Sequence, residues 1–185
     1  SMLDGSVDLT PQDWSRWINQ LAGTAAKIHR CTAEEMAWEY YPYCRVSSLR
    51  DMDRSWSRFP ERWQEAAAII QKGCPEYKPC FIHRDYHPTN ILWMEGEISG
   101  VVDWVNACRG PAGIDVGHCR MNLAQLYGVD VADDFLAAYQ AHAGDAFEYD
   151  PYWDLICIMD MSDGVPGVYA GWTDLGFIGL TDELI

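Results

Sequence analysis

The sequence predicts an α+β fold that is mainly helical, and three observations predict it. Several segments repeat apolar residues every three or four positions, two short, partly β-branched runs flank a Glu-Gly-Glu turn, and a polar loop at 83–90 lies between apolar runs. A chain of 185 residues is long enough to bury roughly 70% of its unfolded-state surface around a conventional core. One domain over residues 1–185 is expected, with the opening Ser1-Met2 read as a tag remnant.

Thr10, Pro11 and Asp13 make a helix start: a hydroxyl cap, a proline where its missing N–H does no harm, and an acid at the positive end. Trp14, Trp17, Ile18, Leu21, Ala25 and Ile28 then form an amphipathic stripe to about Arg30, and His29 is expected to pack or cap at its end. Over residues 31–59 the periodicity fades while Trp38, Tyr40, Tyr41, Tyr43 and Trp56 crowd in. Rings this large must pack on something, either a satellite cluster or the wall of a substrate pocket. Pro60 begins a second helix, with Trp63, Ala66, Ala67 and Ile70 on one side and Gly73 to stop it. Residues 91–94 and 98–102 read as a hairpin with a three-residue turn, Glu95-Gly96-Glu97, so Asn90 and Asp103 emerge together beside the polar loop. Beyond Gly113, the spacing of Val116, Cys119, Leu123 and Leu126 predicts a buried helix with Asp115 at its cap. Asp130 is expected to cap the next helix, and Asp150-Pro151 opens one more, to about Met161. The tail from Gly164 carries no assignable pattern.

Thirteen Lys and Arg against 28 Asp and Glu give a formal charge of -15, which argues against nucleic acid or an anionic membrane as partner. The acidic excess serves either solubility or a pocket for a cationic substrate. The seven cysteines contain no C-x-x-C pair, and most have apolar neighbours, a usage suited to a reducing compartment. With no run near membrane-span length and no secretory signal, a cytoplasmic location is expected.

His83-Arg84-Asp85, with Asn90 five residues after the aspartate, matches the catalytic-loop spacing H-R-D-x-x-x-x-N of kinases, and Asp103 returns thirteen residues later across the hairpin. The chemistry accounts for the residue types. A hydroxyl nucleophile needs a carboxylate to orient it and accept its proton, and magnesium needs hard oxygen ligands around the transferring phosphate. Asp85 is the candidate base; Asn90 and Asp103 are the candidate metal ligands.

These residues resemble the aminoglycoside phosphotransferase and choline kinase-like family, small-molecule relatives of the protein kinases. The resemblance is strongest over 81–103, with Phe81-Ile82-His83-Arg84-Asp85-Tyr86-His87-Pro88-Thr89-Asn90 similar to the catalytic loop and Val101-Val102-Asp103-Trp104 to the second metal segment. Asp115, in Gly113-Ile114-Asp115, resembles an acid that buttresses the loop. It implies the C-terminal lobe of a protein-kinase-like fold, a small-molecule hydroxyl as acceptor, ATP or GTP as donor, and Mg2+. His83 is expected to pack behind the loop, Arg84 to pair with a buried acid such as Asp115, and His87 to touch substrate or hydrogen-bond an acid.

Trp104 stands where a protein kinase has Phe-Gly, and no A-P-E segment follows, which favours a small-molecule acceptor. There is no G-x-G-x-x-G, and none of Lys27, Lys72 and Lys78 sits in a V-A-I-K-like strand. The nucleotide-cradling N-terminal lobe is therefore expected to be missing from these residues and to be supplied by another segment or a second chain. Two other classes compete: a binding module without nucleotide chemistry, and a metal-dependent hydrolase using His83, Asp85 and His87, joined by Asp103 and His118. Asp182 and Glu183 could hold a cationic substrate or be solvated tail acids.

Overall fold

Asp13 decides where the first helix begins. Its carboxylate accepts the Arg16 N–H at 3.0 Å, and α1 runs Trp14–His29, later than the Thr10 start that the sequence suggests. The Thr10 N–H is instead bonded to the Asp8 carboxylate, so Thr10 and Pro11 belong to the approach. The computed structural model describes residues 3–162, 164–177 and 179–181. Over them the order is α1, α2 (Pro60–Ile70), β1 (Pro79–Ile82), β2 (Ile91–Met94), β3 (Glu97–Val101), β4 (Cys108–Pro111), α3 (Ala112–Tyr127), α4 (Val129–Ala143), α5 (Tyr152–Asp160) and α6 (Ala170–Asp174), with short 3-10 turns between. The fold is α+β and mainly helical.

Two antiparallel ladders position the polar loop. In β2–β3, Met94 pairs with Glu97, so the connection is the two residues Glu95 and Gly96, with φ of 54° and 77°, one residue shorter than expected. Left-handed backbone at both central positions matches the twist of the strands, which is why Glu97 joins the ladder. The second ladder, β1–β4, pairs Pro79 with Pro111 and Ile82 with Cys108 and has no counterpart in the sequence reading. Gly110 makes it possible, since a Cβ there would lie 2.7 Å from Ile82 Cδ1 and 2.7 Å from Tyr40 Cβ. Because Ile82 precedes the loop and Pro111 precedes α3, this ladder brings the start of the loop against the start of α3.

α3 is the central element and is buried nearly all round. One flank packs with α1 and α4 in a cluster holding Leu21, Phe135, Tyr139 and the loop's Tyr86; the other packs with α2 and α5 around Ile82, Ile114 and Trp153. Gly117 permits the α5 contact, since a Cβ there would meet the Trp153 carbonyl oxygen at 2.5 Å. Tyr86 thus anchors the loop in one cluster, and Ile82 anchors its entry in the other. The Tyr86 hydroxyl also donates to the Leu21 carbonyl at 2.8 Å.

Other boundaries shift for local reasons. Gly128, with φ of 95°, precedes α4, so Asp130 stands in the first turn and is not the cap. Asp150 does bind the start of α5, accepting the Tyr152 N–H at 2.8 Å. The tail contributes α6, whose Trp172 packs with Leu9 and Leu126. All seven cysteines are free thiols. Among the described residues no helix is long and apolar enough to cross a membrane.

Candidate functional site

Asp115 holds the loop from beneath. It lies in the first turn of α3 with no exposure, and it does not cap its own helix: Oδ2 accepts the His83 N–H at 2.7 Å and Oδ1 the Arg84 N–H at 2.6 Å. Aiming two successive N–H groups at one carboxylate bends the chain, and Arg84 sits at φ 70°, a conformation that costs a non-glycine residue about 1–3 kcal/mol. His29 Nε2 lies 3.0 Å from Asp115 Oδ2, and its Nδ1 lies 2.7 Å from the Tyr139 hydroxyl, which ties the end of α1 and a residue of α4 into the same buried network.

The expected Arg84–Asp115 ion pair is not formed. The contact to Asp115 comes from the Arg84 backbone, while the guanidinium stacks over Tyr40, Tyr41 and Tyr43 with centroid distances of 5.3, 4.6 and 3.9 Å. This is where part of the 31–59 aromatic cluster goes. His83 is fully buried, its Nε2 2.8 Å from the Val102 carbonyl oxygen and its ring 4.4 Å from that of Trp104. The left-handed turn at Arg84 breaks the strand-like alternation, so His83 points behind the loop and drops out of the ligand set the hydrolase reading required.

The outer face of the loop is different in kind. Asp85 Oδ1 is 3.1 Å from His118 Nε2 and 3.5 Å from His87 Nε2, with the carboxylate side chain 30% exposed. The hydrogen bond from His118 is the main reason the Asp85 carboxyl is held down to about 2; desolvation opposes it, and the charges of His87 and His118 and the Asn90 amide assist. Burial, with His118 nearby, lowers His87 to about 4 despite the Asp85 charge. Near neutral pH the pair is an ionised Asp85 beside a neutral His87. Asn90 donates from Nδ2 to the Asp85 carbonyl at 2.8 Å, which fixes the amide nitrogen toward Asp85 and His87.

Asp103 is exposed at φ 63°, directly after Val102, whose N–H donates to the Asn90 carbonyl at 2.9 Å. The hairpin therefore delivers Asn90 and Asp103 at its open end, with no direct hydrogen bond from Asp103 to Asn90 or Asp85 among the described residues. His118 is the site residue that sequence reasoning underrated, naming it only as an added ligand of the hydrolase. The available signal was its place three residues after Asp115, which puts both on one helix face, one beneath the loop and one beside it.

Asp85, His87 and His118 form part of the lining of a cleft of about 1000 Å³. Its walls include Trp56, Trp63, Met121, Ile158, Val165 and Trp172. Of the chain's 28 acids, Asp85 is the one that lines this cleft among the described residues, with Arg58 as a basic neighbour. Asp182 and Glu183, like Ser1 and Met2, lie outside the described residues.

A family model described as the phosphotransferase enzyme family matches residues 1–167. The chain belongs to that family. No curated protein sequence matches it at a significant level. Among solved structures, an aminoglycoside phosphotransferase from Streptomyces rimosus superposes with a TM-score of 0.63 at 15% identity, covering 89% of this chain and 68% of that one. A macrolide 2′-phosphotransferase from Brachybacterium faecium gives 0.60 at 20% identity, over 87% and 59%. An amicoumacin kinase, solved with AMP-PNP, Ca2+ and amicoumacin, gives 0.60 at 16% identity, over 87% and 54%. At these identities the likeness concerns the fold, which is the kinase-like C-terminal lobe. The chain spans between about half and two thirds of the length of these phosphotransferases.

Proposed function

We propose that the chain supplies the acceptor-binding half of a nucleotide-dependent phosphotransferase acting on a hydroxyl of a small molecule. The observation that carries this reading is an ionised Asp85, open to a cleft and clamped within one loop to Asn90. Asp85 orients the acceptor hydroxyl and takes its proton as the γ-phosphate is transferred. Asn90, with its nitrogen bonded to Asp85, offers Oδ1 to a cation, and Asp103 offers a carboxylate from the other end of the hairpin. Hard oxygen donors of this kind suit Mg2+, which when bound would neutralise charge on the donor phosphates. His118 positions the Asp85 carboxylate, and Asp115, with His83 and His29 behind it, keeps the loop bent. Catalysis is then placement and charge neutralisation, with the proton passing from the acceptor oxygen to Asp85.

The donor is ATP or GTP. The 185 residues hold no glycine-rich phosphate loop, so turnover needs a nucleotide-cradling lobe supplied by the same gene's product or a second chain. For the acceptor, the aromatic and aliphatic residues of the cleft wall suit a molecule with a hydroxyl on one face and an apolar surface on another. The test is Mg2+-dependent transfer of labelled γ-phosphate to a panel of neutral and cationic alcohols by the full-length gene product. Transfer that survives Asp85→Ala would overturn the assigned role, and transfer by the 185 residues alone would overturn the need for a further lobe.

A further inference from the structure

A carboxylate oxygen of Asp85 and an imidazole nitrogen each of His87 and His118 all lie within 4.8 Å of one another. Donors around a tetrahedral ion at 2.0–2.1 Å stand about 3.3 Å apart. The separations of Asp85 Oδ1 from His118 Nε2, 3.1 Å, and from His87 Nε2, 3.5 Å, straddle that value. His87 also has the tautomer a ligand needs. The Asn90 nitrogen, oriented by the Asp85 carbonyl, is 3.2 Å from His87 Nε2, so Nε2 carries its lone pair toward the site and an ion bound there displaces the Asn90 hydrogen bond, while Nδ1, 2.8 Å from Thr89 Oγ1, carries the proton. An outer partner on the far ring nitrogen is how metal-binding histidines are held in register. All three residues line the cleft.

We propose that Asp85, His87 and His118 form a three-ligand site for a borderline transition-metal cation, Zn2+ or Co2+, distinct from the Mg2+ position at Asn90 and Asp103. Two imidazoles and one carboxylate select such ions over Mg2+, which demands octahedral oxygen coordination. On binding, the ion replaces the proton on His118 Nε2, and the ring carries its proton on Nδ1. Resting on the phosphotransferase reading, one consequence follows: the ion occupies the carboxylate that faces the acceptor, and so inhibits competitively with the acceptor.

The site itself is tested without any turnover. Co2+ is titrated into the chain carrying Cys31→Ser and Cys74→Ser, which removes the two exposed thiols. One equivalent should give the intense visible bands of tetrahedral Co2+, displaced by Zn2+ and left unchanged by excess Mg2+. Loss of a ligand in His87→Ala or His118→Ala should weaken Co2+ binding at least about 100-fold, more than loss of an outer partner does. His118→Asn keeps a hydrogen-bonding group near Asp85 while removing the imidazole, which provides a second variant if alanine prevents folding. Only weak octahedral Co2+ absorption, or tetrahedral bands that persist in a folded His118→Asn protein, would overturn the site. Either result leaves the phosphotransferase reading standing, because that reading fails on the Asp85→Ala transfer assay and not on this spectrum.

Discussion

The loop at 83–90 has an aspartate and histidine on each side of it, and the two pairs are used in opposite ways. Behind the loop, both oxygens of Asp115 accept backbone N–H groups and His29 closes the remaining approach at 3.0 Å, with the carboxylate wholly buried. In front, Asp85 meets His118 and His87 through one oxygen and keeps part of its surface on a cleft. The same two residue types therefore make a structural clamp where the carboxylate is sealed from water, and a carboxylate that water and ligand can still reach where it lines the cleft. Exposure separates them, not composition: the Asp85 side chain is 30% exposed and that of Asp115 not at all.

The sharpest way to break this contrast is to neutralise each aspartate in turn. In the active full-length protein, Asp85→Asn should lower kcat by about 10³-fold or more, at the upper range for a general base, while nucleotide affinity by equilibrium titration stays nearly the same. Folding should be affected less than by loss of the Asp115 carboxylate, since the Asp85 side chain is partly exposed. Asp115→Ala should do the reverse, costing about 3–5 kcal/mol in denaturant unfolding because two buried N–H groups lose their acceptor. A stable, inactive Asp115→Ala protein, or an unfolded Asp85→Asn protein, would reverse the assignment of roles.

Acid titration sharpens the same comparison at smaller scale. His87 is lowered from 6.5 to about 4, so between those values the unfolded chain takes a proton that the folded protein refuses. Its stabilisation is complete above 6.5 and is lost as pH falls toward 4, by at most roughly 3 kcal/mol. Asp85 acts lower still: its contribution is present above the ordinary 3.8 and fades as pH falls through about 2. Thermal melts from pH 7 to 4 should slope downward in the parent and flatten in His87→Gln, and an unchanged slope would contradict the buried neutral imidazole. Arg84→Lys should have the smallest effect, about 1–2 kcal/mol, since a lysine keeps the charge but loses planar stacking on the three tyrosines. A loss like that of Asp115→Ala would mean that the Arg84 side chain, and not its N–H, holds the loop.

Much of this was legible without coordinates. The stripe from Trp14 to Ile28 reports a helix because 3.6-residue periodicity is local, and the hairpin shows as two apolar runs around Glu95-Gly96. The spacing of Asp85, Asn90 and Asp103 was readable because loop and hairpin are contiguous in sequence. The β1–β4 ladder was not, since Cys108-Arg109-Gly110-Pro111 has no alternation and its pairing depends on a partner 26 or more residues away. Thr10 was misread as the cap because its composition suits one, while the competing Asp13 carboxylate won the hydrogen bond.

What the sequence determined alone was therefore the set of local elements and the order of the polar residues along one loop, both governed by interactions between near neighbours. Only the tertiary structure decided that Arg84 turns into a tyrosine cage and that His118 joins Asp85 across 33 positions of chain. The physical reason is that a side chain's role depends on which distant groups satisfy its hydrogen bonds and whether water reaches it, and packing fixes both only once α3 lies beneath the loop.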